Sequence, residues 1–289
     1  MERTLTTEVK AHIGECIRVA GWLHSFRQMG GINFLIIRDG WGQVQAVAET
    51  EAEVAPLLEG GLSVESIIAV EGLVVSEAQA PGGIELHHLR IEVITPVTEP
   101  PPVPLNKRKL TAGIGTVLDH AVVTNRHPAR RAILRLAGAT MASFRSILTA
   151  RGFTEIQTPK IVASATESGA SVFKLDYFGR PGYLAQSPQF YKQIMVGVFE
   201  RVFEVGPVFR AEPHDTTRHL NEYVSLDAEF GFIENHFTVM ALLRDIIANI
   251  LTTFREQYAA ELDLLRVQMP GVPEQVPHIH FADAQELIF

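Results

Sequence analysis

Arg210 and Glu212 stand two residues apart in Val208-Phe209-Arg210-Ala211-Glu212. On a strand, alternation puts such a pair on one face. A guanidinium and a carboxylate so placed can hold complementary parts of one polar ligand. Arg218 and His219, in the polar loop from Pro213 to Asn221, add cationic groups suited to a polyphosphate. The elements that would position them are a strand running from Val202 to a Gly206-Pro207 turn, its resumption through Glu212, and a return strand after the loop. In the return strand Leu226, Ala228 and Phe230 fall on one face and Ser225, Asp227 and Glu229 on the other. The pattern predicts an antiparallel hairpin with a long charged loop. A plain surface hairpin with cross-strand ion pairs fits the same residues.

A second cluster starts at Gln186-Ser187-Pro188-Gln189, where Ser187 is a candidate N-cap and Pro188 a candidate first helical residue. Gln189 and Lys192, three apart, then share a face of the first turn. A helix N-terminus with its free N–H groups suits a carboxylate, and Glu167, on a small-residue loop, could accept from an ammonium group. The plain alternative is a helix start, a solvated lysine and a loop acid.

The N-terminal part offers a third group. Short β-rich runs at Ile17 to Phe26, Ile32 to Asp39, Gln43 to Ala48, Ile67 to Val75 and Ile84 to Ile94 are separated by glycine-rich turns, with a short helix predicted over Glu51 to Leu58. Five strands with a helix after the third is the order of an OB-fold, a barrel that commonly binds oligonucleotides; an SH3-like barrel shares the strand count. Phe34, Arg27 and Gln45 supply an aromatic platform, a cation and an amide on neighbouring strands, the set that single-stranded bases need. Taken singly, each fits an ordinary core or surface position.

With 289 residues, 46% of them hydrophobic, the chain can bury a sizeable core and make more than one domain. A net charge of −8 argues against indiscriminate coating of nucleic acid, so RNA contact must come from local basic patches. The lone Cys16 excludes an internal disulfide and any cysteine-based zinc cluster. The N-terminus MERTLTTEVK has no apolar signal-like run, no apolar stretch approaches membrane-spanning length, and the expected compartment is cytoplasmic, with no membrane partner. Residues 96–127 begin with a proline-rich run and carry Lys107-Arg108-Lys109; they are expected to be a stiff hinge outside any packed core. This divides the chain into a barrel domain (1–95), a hinge (96–127) and a second domain (128–289). In the last, Ile133, Ala137, Met141, Phe144 and Leu148 predict a core-facing helix after Pro128, followed by a strand ending at Pro159.

Phe-Arg-Ala-Glu at 209–212, Thr-Thr-Arg-His-Leu-Asn-Glu at 216–222 and Leu-Asp-Ala-Glu at 226–229 together resemble motif 2 of class II aminoacyl-tRNA synthetases, in the form found in aspartyl and asparaginyl enzymes. The long helix and the strand ending Thr158-Pro159 resemble their dimer-forming motif 1. Tyr183 to Gln193 resembles the aspartate pocket of the archaeal-type aspartyl enzymes, and Gly21-Trp22 with Arg38-Asp39-Gly40 resembles their anticodon domain. The resemblance implies an α+β chain: an N-terminal OB-fold barrel, then a class II synthetase-like antiparallel sheet with helices, incomplete here.

It further implies a ligase that activates aspartate with ATP and Mg2+, transfers it to tRNA(Asp), and works as a homodimer. Glu167, Gln186, Gln189, Lys192 and Arg210 would hold aspartate; Arg210, Ala211, Glu212, Arg218, His219 and Leu220 would hold ATP; Arg27, Phe34 and Gln45 would contact the anticodon. Arg210 and Glu212 are the residues implied in catalysis. Lys192 favours aspartate over asparagine, because a desolvated ammonium opposite a neutral amide is left unpaired. Two departures concern tRNA selection: His24 stands where strictly aspartate-specific enzymes tend to carry Trp, and Pro81 where they tend to carry Lys. Both imply relaxed discrimination, with tRNA(Asn) as a second substrate whose product a downstream amidotransferase would use. Pro213 stands where an acidic residue is usual. Nothing in the sequence matches the glycine-rich third motif, and the magnesium ligands are expected beyond residue 289; a non-catalytic tRNA-binding paralogue is the alternative expectation.

Overall fold

The structure, a computed structural model, describes residues 1–289 except 166–170, 215, 217, 218, 275 and 289. It divides into two compact units, Met1–Arg131 and Ala132–Phe289.

In the first unit, β1 (Cys16–Met29), β2 (Ile32–Arg38), β3 (Gln43–Ala48), β4 (Ile67–Ser76) and β5 (Ile84–Thr95) close into a barrel in the order β1-β2-β3-β5-β4. The helix α1 (Glu51–Glu59) lies between β3 and β4. All five runs and the helix fall within a few residues of the positions that alternation predicts, because inward residues such as Val19, Leu35, Ile37, Val70 and Leu86 are fully buried while their neighbours face out. The helix is set by a capping box between Thr50 and Glu53. The other oxygen of Glu53 accepts from the Leu89 N–H at 2.7 Å and ties the helix to β5.

Close approach explains one barrel glycine. A Cβ at Gly21 would lie 2.2 Å from the Arg38 carbonyl oxygen. Arg38 is itself buried, donating to both oxygens of Glu65 at 3.0 and 2.9 Å, and its guanidinium sits 5.4 Å from the centre of the Trp22 ring. Arg126 reaches the same carboxylate at 3.2 Å. The segment from 96 onward is therefore anchored: Val103 and Leu105 are buried, which corrects the expectation that the proline-rich run stays out of any packed core. Two short helices, α2 (Ile114–Asp119) and α3 (Ala121–Thr124), follow it.

The helix α4 (Pro128–Ala150), which belongs to the second unit from Ala132 on, precedes β6 (Thr154–Glu155), β7 (Ile161–Val162), β8 (Lys174–Tyr177), β9 (Arg180–Leu184), α5 (Gln189–Phe199), β10 (Arg201–Phe209), β11 (Glu222–Phe230), α6 (His236–Gln257), α7 (Ala259–Leu265) and α8 (Phe281–Ile288). One sheet has the order β11-β10-β6, another β7-β9-β8. Phe144, Leu148, Phe153, Phe203, Val205, Leu242 and Ile246 form the core. Met141, Phe144 and Leu148 of the predicted helical stripe enter it, but Ile133 and Ala137 are exposed, so only the C-terminal half of that stripe is core. The strand predicted to end at Pro159 shrinks to β6, which pairs in parallel with β10 at Val202 and Phe203.

Gly206-Pro207 is not a turn. β10 runs through it without a break, with Gly206 opposite Ser225 and Pro207 opposite Val224. The Phe209 N–H, two residues on, points away from β11 to the Ala185 carbonyl. Pro207 therefore lacks its N–H on the side where β6 has already ended, a position a strand tolerates. Gly206 leaves room for Lys160 to reach Glu204 at 2.8 Å, since a Cβ there would lie 3.2 Å from Glu204 Oε1 and 3.4 Å from Lys160 Nζ. Another expectation also falls: α6, at 22 residues with a window of mean hydropathy 1.5, is long and apolar enough to cross a membrane by length and composition alone. In this fold Leu242, Ile246 and Ile250 join the core, while Asn249 reaches the Ser143 hydroxyl at 2.7 Å.

Candidate functional site

In the second unit the site lies around the start of α5, the end of β10 and the polar face of β11. β10 stops at Phe209, so Arg210 and Glu212 do not alternate on a strand. The Arg210 N–H donates to the Asn221 carbonyl at 3.0 Å and closes the base of the loop, and the Glu212 N–H donates back to the Arg210 carbonyl at 2.8 Å in a three-residue turn. The Ala211 N–H donates to the Ser171 carbonyl at 3.0 Å. Arg210, Ala211 and Glu212 are half-buried, and the Arg210 guanidinium lies 6.0 Å from the centre of the Tyr223 ring. His219 and Leu220 are exposed; His219 Nδ1 is 2.6 Å from the Thr216 hydroxyl, and its ring lies 5.3 Å from that of His214. Glu167 and Arg218 lie outside the described residues.

The helix α5 starts at Gln189, one residue later than predicted, with Pro188 in the capping position and the Ser187 Oγ accepting from the Gln189 N–H at 3.3 Å. Gln186 is fully buried and Gln189 half-buried. Lys192 is not a solvated charge: it is 5% exposed, with Nζ 2.9 Å from Asp227 Oδ1 and 3.6 Å from Glu229 Oε2. Leu226, Ala228 and Phe230, predicted to share one face, all pack on the core, which turns Asp227 and Glu229 to the opposite face. Sequence reasoning placed both on that face and gave neither a part in the site; the signal was two acids facing a lone lysine.

In the first unit His24, Arg27, Phe34, Gln45 and Pro81 all line one cavity of about 610 Å³. Arg27 and Phe34 are opposite each other in the β1–β2 register, and Ile36 faces Gln45 across β2–β3. His24 is buried, and its Nδ1 has no hydrogen-bond partner. Burial first, and the nearby Arg38 guanidinium second, push its pKa down to about 4, so the ring is neutral at pH 7. Pro81 is exposed and opens a short 3-10 turn, Pro81–Gly83. Gln45 Nε2 donates to Glu85 Oε2 at 2.9 Å, and His87 bridges Glu85 and Glu49. Burial alone would lower the His87 pKa, but its hydrogen bonds to Glu85 and Glu49 outweigh that and raise it.

The family of class II tRNA synthetases (D, K and N) matches residues 114–288, and the OB-fold nucleic acid binding domain matches residues 17–94. The chain is 45% identical to an aspartate–tRNA(Asp/Asn) ligase of Deinococcus radiodurans over 288 residues, covering 100% of this chain and 64% of that protein. It is 40% identical to an aspartate–tRNA(Asp) ligase of Pyrococcus horikoshii, covering 95% of this chain and 63% of that one. The crystal structure of Pyrococcus horikoshii asparaginyl-tRNA synthetase complexed with asparaginyl-adenylate superposes with a TM-score of 0.91 at 30% identity, over 100% of this chain and 67% of that one. The chain thus spans about 64% of the length of curated relatives it matches. On the strength of both matched regions and of the barrel and hairpin described above, this chain belongs to the class II tRNA synthetases of the D, K and N group.

Proposed function

We propose that the chain serves in an aspartate–tRNA ligase, which joins aspartate to the α-phosphate of ATP with release of pyrophosphate and then transfers the aspartyl group to tRNA(Asp) and tRNA(Asn). The buried Lys192 beside the start of α5 carries this reading: its ammonium, fixed in a desolvated site by Asp227 and Glu229, attracts a substrate carboxylate more strongly than a neutral amide. Asp227 and Glu229 hold Lys192 in place when no substrate is bound, and aspartate would share that cation with them. Arg210 would neutralise the α-phosphate and the substrate carboxylate, with Glu212 on the adenine side and Arg218 and His219 on the outer phosphates. Such chemistry relies on positioning and charge stabilisation and needs no covalent nucleophile. Mg2+ would enter with substrate ATP, and among the described residues no grouping of His, Cys, Asp or Glu is arranged to hold a metal by itself.

The first unit would bind the anticodon, with Phe34 stacking a base and Arg27 and Gln45 contacting its edge and backbone. The exposed Ile133 and Leu134 on α4 support a homodimer interface, and a ligase of this kind works in the cytoplasm. Acceptance of both tRNAs rests on His24 and Pro81, which share the cavity with the base-contacting residues. The test is kcat/KM of the gene's full-length product for tRNA(Asp) and tRNA(Asn). Values within about a hundredfold, ~3 kcal/mol, are expected; a larger preference for tRNA(Asp) overturns the dual substrate.

A further inference from the structure

Glu204 of β10 is 1% exposed, and both oxygens of its carboxylate are engaged. Oε1 accepts from the Thr158 N–H at 3.0 Å and from Lys160 Nζ at 2.8 Å, and Oε2 accepts from the Thr158 hydroxyl at 2.7 Å. A buried carboxylate is costly unless it is paired and hydrogen-bonded. Here one cation and two further donors satisfy it.

The pair stands where a backbone ladder ends. β6 pairs with β10 at Val202 and Phe203, the Ile156 N–H donates to the Phe203 carbonyl at 2.8 Å, and the chain then meets Pro159, which has no N–H to donate. From Thr158 on, the Glu204 side chain ties the segment to β10. That segment carries the next links. The Lys160 carbonyl accepts from the Ala185 N–H at 3.0 Å, and the Ala185 carbonyl accepts from the Phe209 N–H at 3.0 Å. Gln186, fully buried, follows Ala185, and Arg210 follows Phe209. Two residues expected to hold aspartate are thus each one position away from a relay that Glu204 anchors. Glu204 also shares a sheet face with the site: it lies directly opposite Asp227 in the β10–β11 register, while its neighbours Phe203 and Val205 face the core.

We propose that Glu204 is a positioning residue for the amino-acid site: paired with Lys160 and strapped to Thr158, it holds Ala185-Gln186 against the end of β10 and so sets where aspartate sits. The inference rests on the aspartate-activating reading above and adds a residue that acts through others.

The test is ATP–pyrophosphate exchange by the gene's full-length product, with aspartate and ATP varied separately. Glu204→Gln keeps an acceptor for the Thr158 donors and loses the charge that holds Lys160. The KM for aspartate should rise about tenfold while kcat and the KM for ATP stay within about threefold; a variant that is merely less folded lowers kcat and leaves both KM values alone. Charge by itself predicts the opposite sign, since an uncompensated Lys160 cation beside the site would attract aspartate and lower its KM. An unchanged or lowered KM for aspartate, or an equal rise in both KM values, overturns the proposal. If Glu204→Gln is unfolded at the assay temperature, Thr158→Val decides, because it removes the hydroxyl link and no charge: the KM for aspartate should rise at least about threefold with that for ATP unchanged, and no rise overturns the proposal. Wild-type exchange that aspartate does not support overturns the aspartate reading itself, and the proposal with it.

Discussion

Lys192 of α5 and Asp227 of β11 form an ion pair at 2.9 Å, with the lysine side chain 7% and the aspartate 17% exposed. Truncating one partner of a buried pair leaves the other charge uncompensated, at a cost of ~3–5 kcal/mol. Because Asp227 keeps some solvent, Lys192→Met should destabilise by about 3 kcal/mol in urea unfolding. In the full-length enzyme the same change should raise the KM for aspartate and narrow its advantage over asparagine. Unchanged stability and unchanged selectivity would remove Lys192 from both roles.

Arg210 is held at the mouth of the hairpin by its backbone bond to Asn221. Arg210→Ala in the full-length enzyme should lower aspartate-dependent ATP–pyrophosphate exchange by about a hundredfold or more, the loss of a charge-assisted contact that strengthens in the transition state. Exchange at the wild-type rate would show that this guanidinium does not touch the reacting groups.

His24 gives the first unit a pH dependence. Its folded pKa of about 4 lies below the ordinary 6.5. Between those values the unfolded chain binds the proton more readily, so stability should fall as pH drops from 6.5 towards 4, by at most ~3 kcal/mol. His24→Gln should flatten that slope in urea melts at pH 7 and pH 4.5; an equal slope in the variant would assign the effect elsewhere.

Gly21→Ala would set a Cβ 2.2 Å from the Arg38 carbonyl oxygen, and backbone must move to admit it. A loss of ~3 kcal/mol is expected, at the upper end of overpacking costs. Thermal unfolding of the variant checks this: a melting temperature unchanged within a degree would mean that β1 and β2 separate freely there.

Much of the first unit is legible in the sequence because its strands bury alternate residues around one core, and period-two patterning reports that directly. The second unit is less so. Gly206-Pro207 carries turn chemistry, and only the pairing partners of β10 reveal that proline's missing donor costs nothing there. Ile133 and Ala137 have helical spacing but face outward, since periodicity gives a face without saying what covers it. Asp227 and Glu229 could be placed on one face of β11, yet their partner lies in α5, and no local pattern joins the two elements. His24 acquires meaning through burial and through a cavity assembled from separated strands.

ATP–pyrophosphate exchange by the gene's full-length product tests the proposed activation of aspartate without involving tRNA. Aspartate should support exchange with a kcat/KM at least about a hundredfold above that of asparagine, ~3 kcal/mol of discrimination from the Lys192 site. Exchange supported equally well or better by asparagine, or by neither amino acid, would contradict an aspartate-activating site built on Lys192.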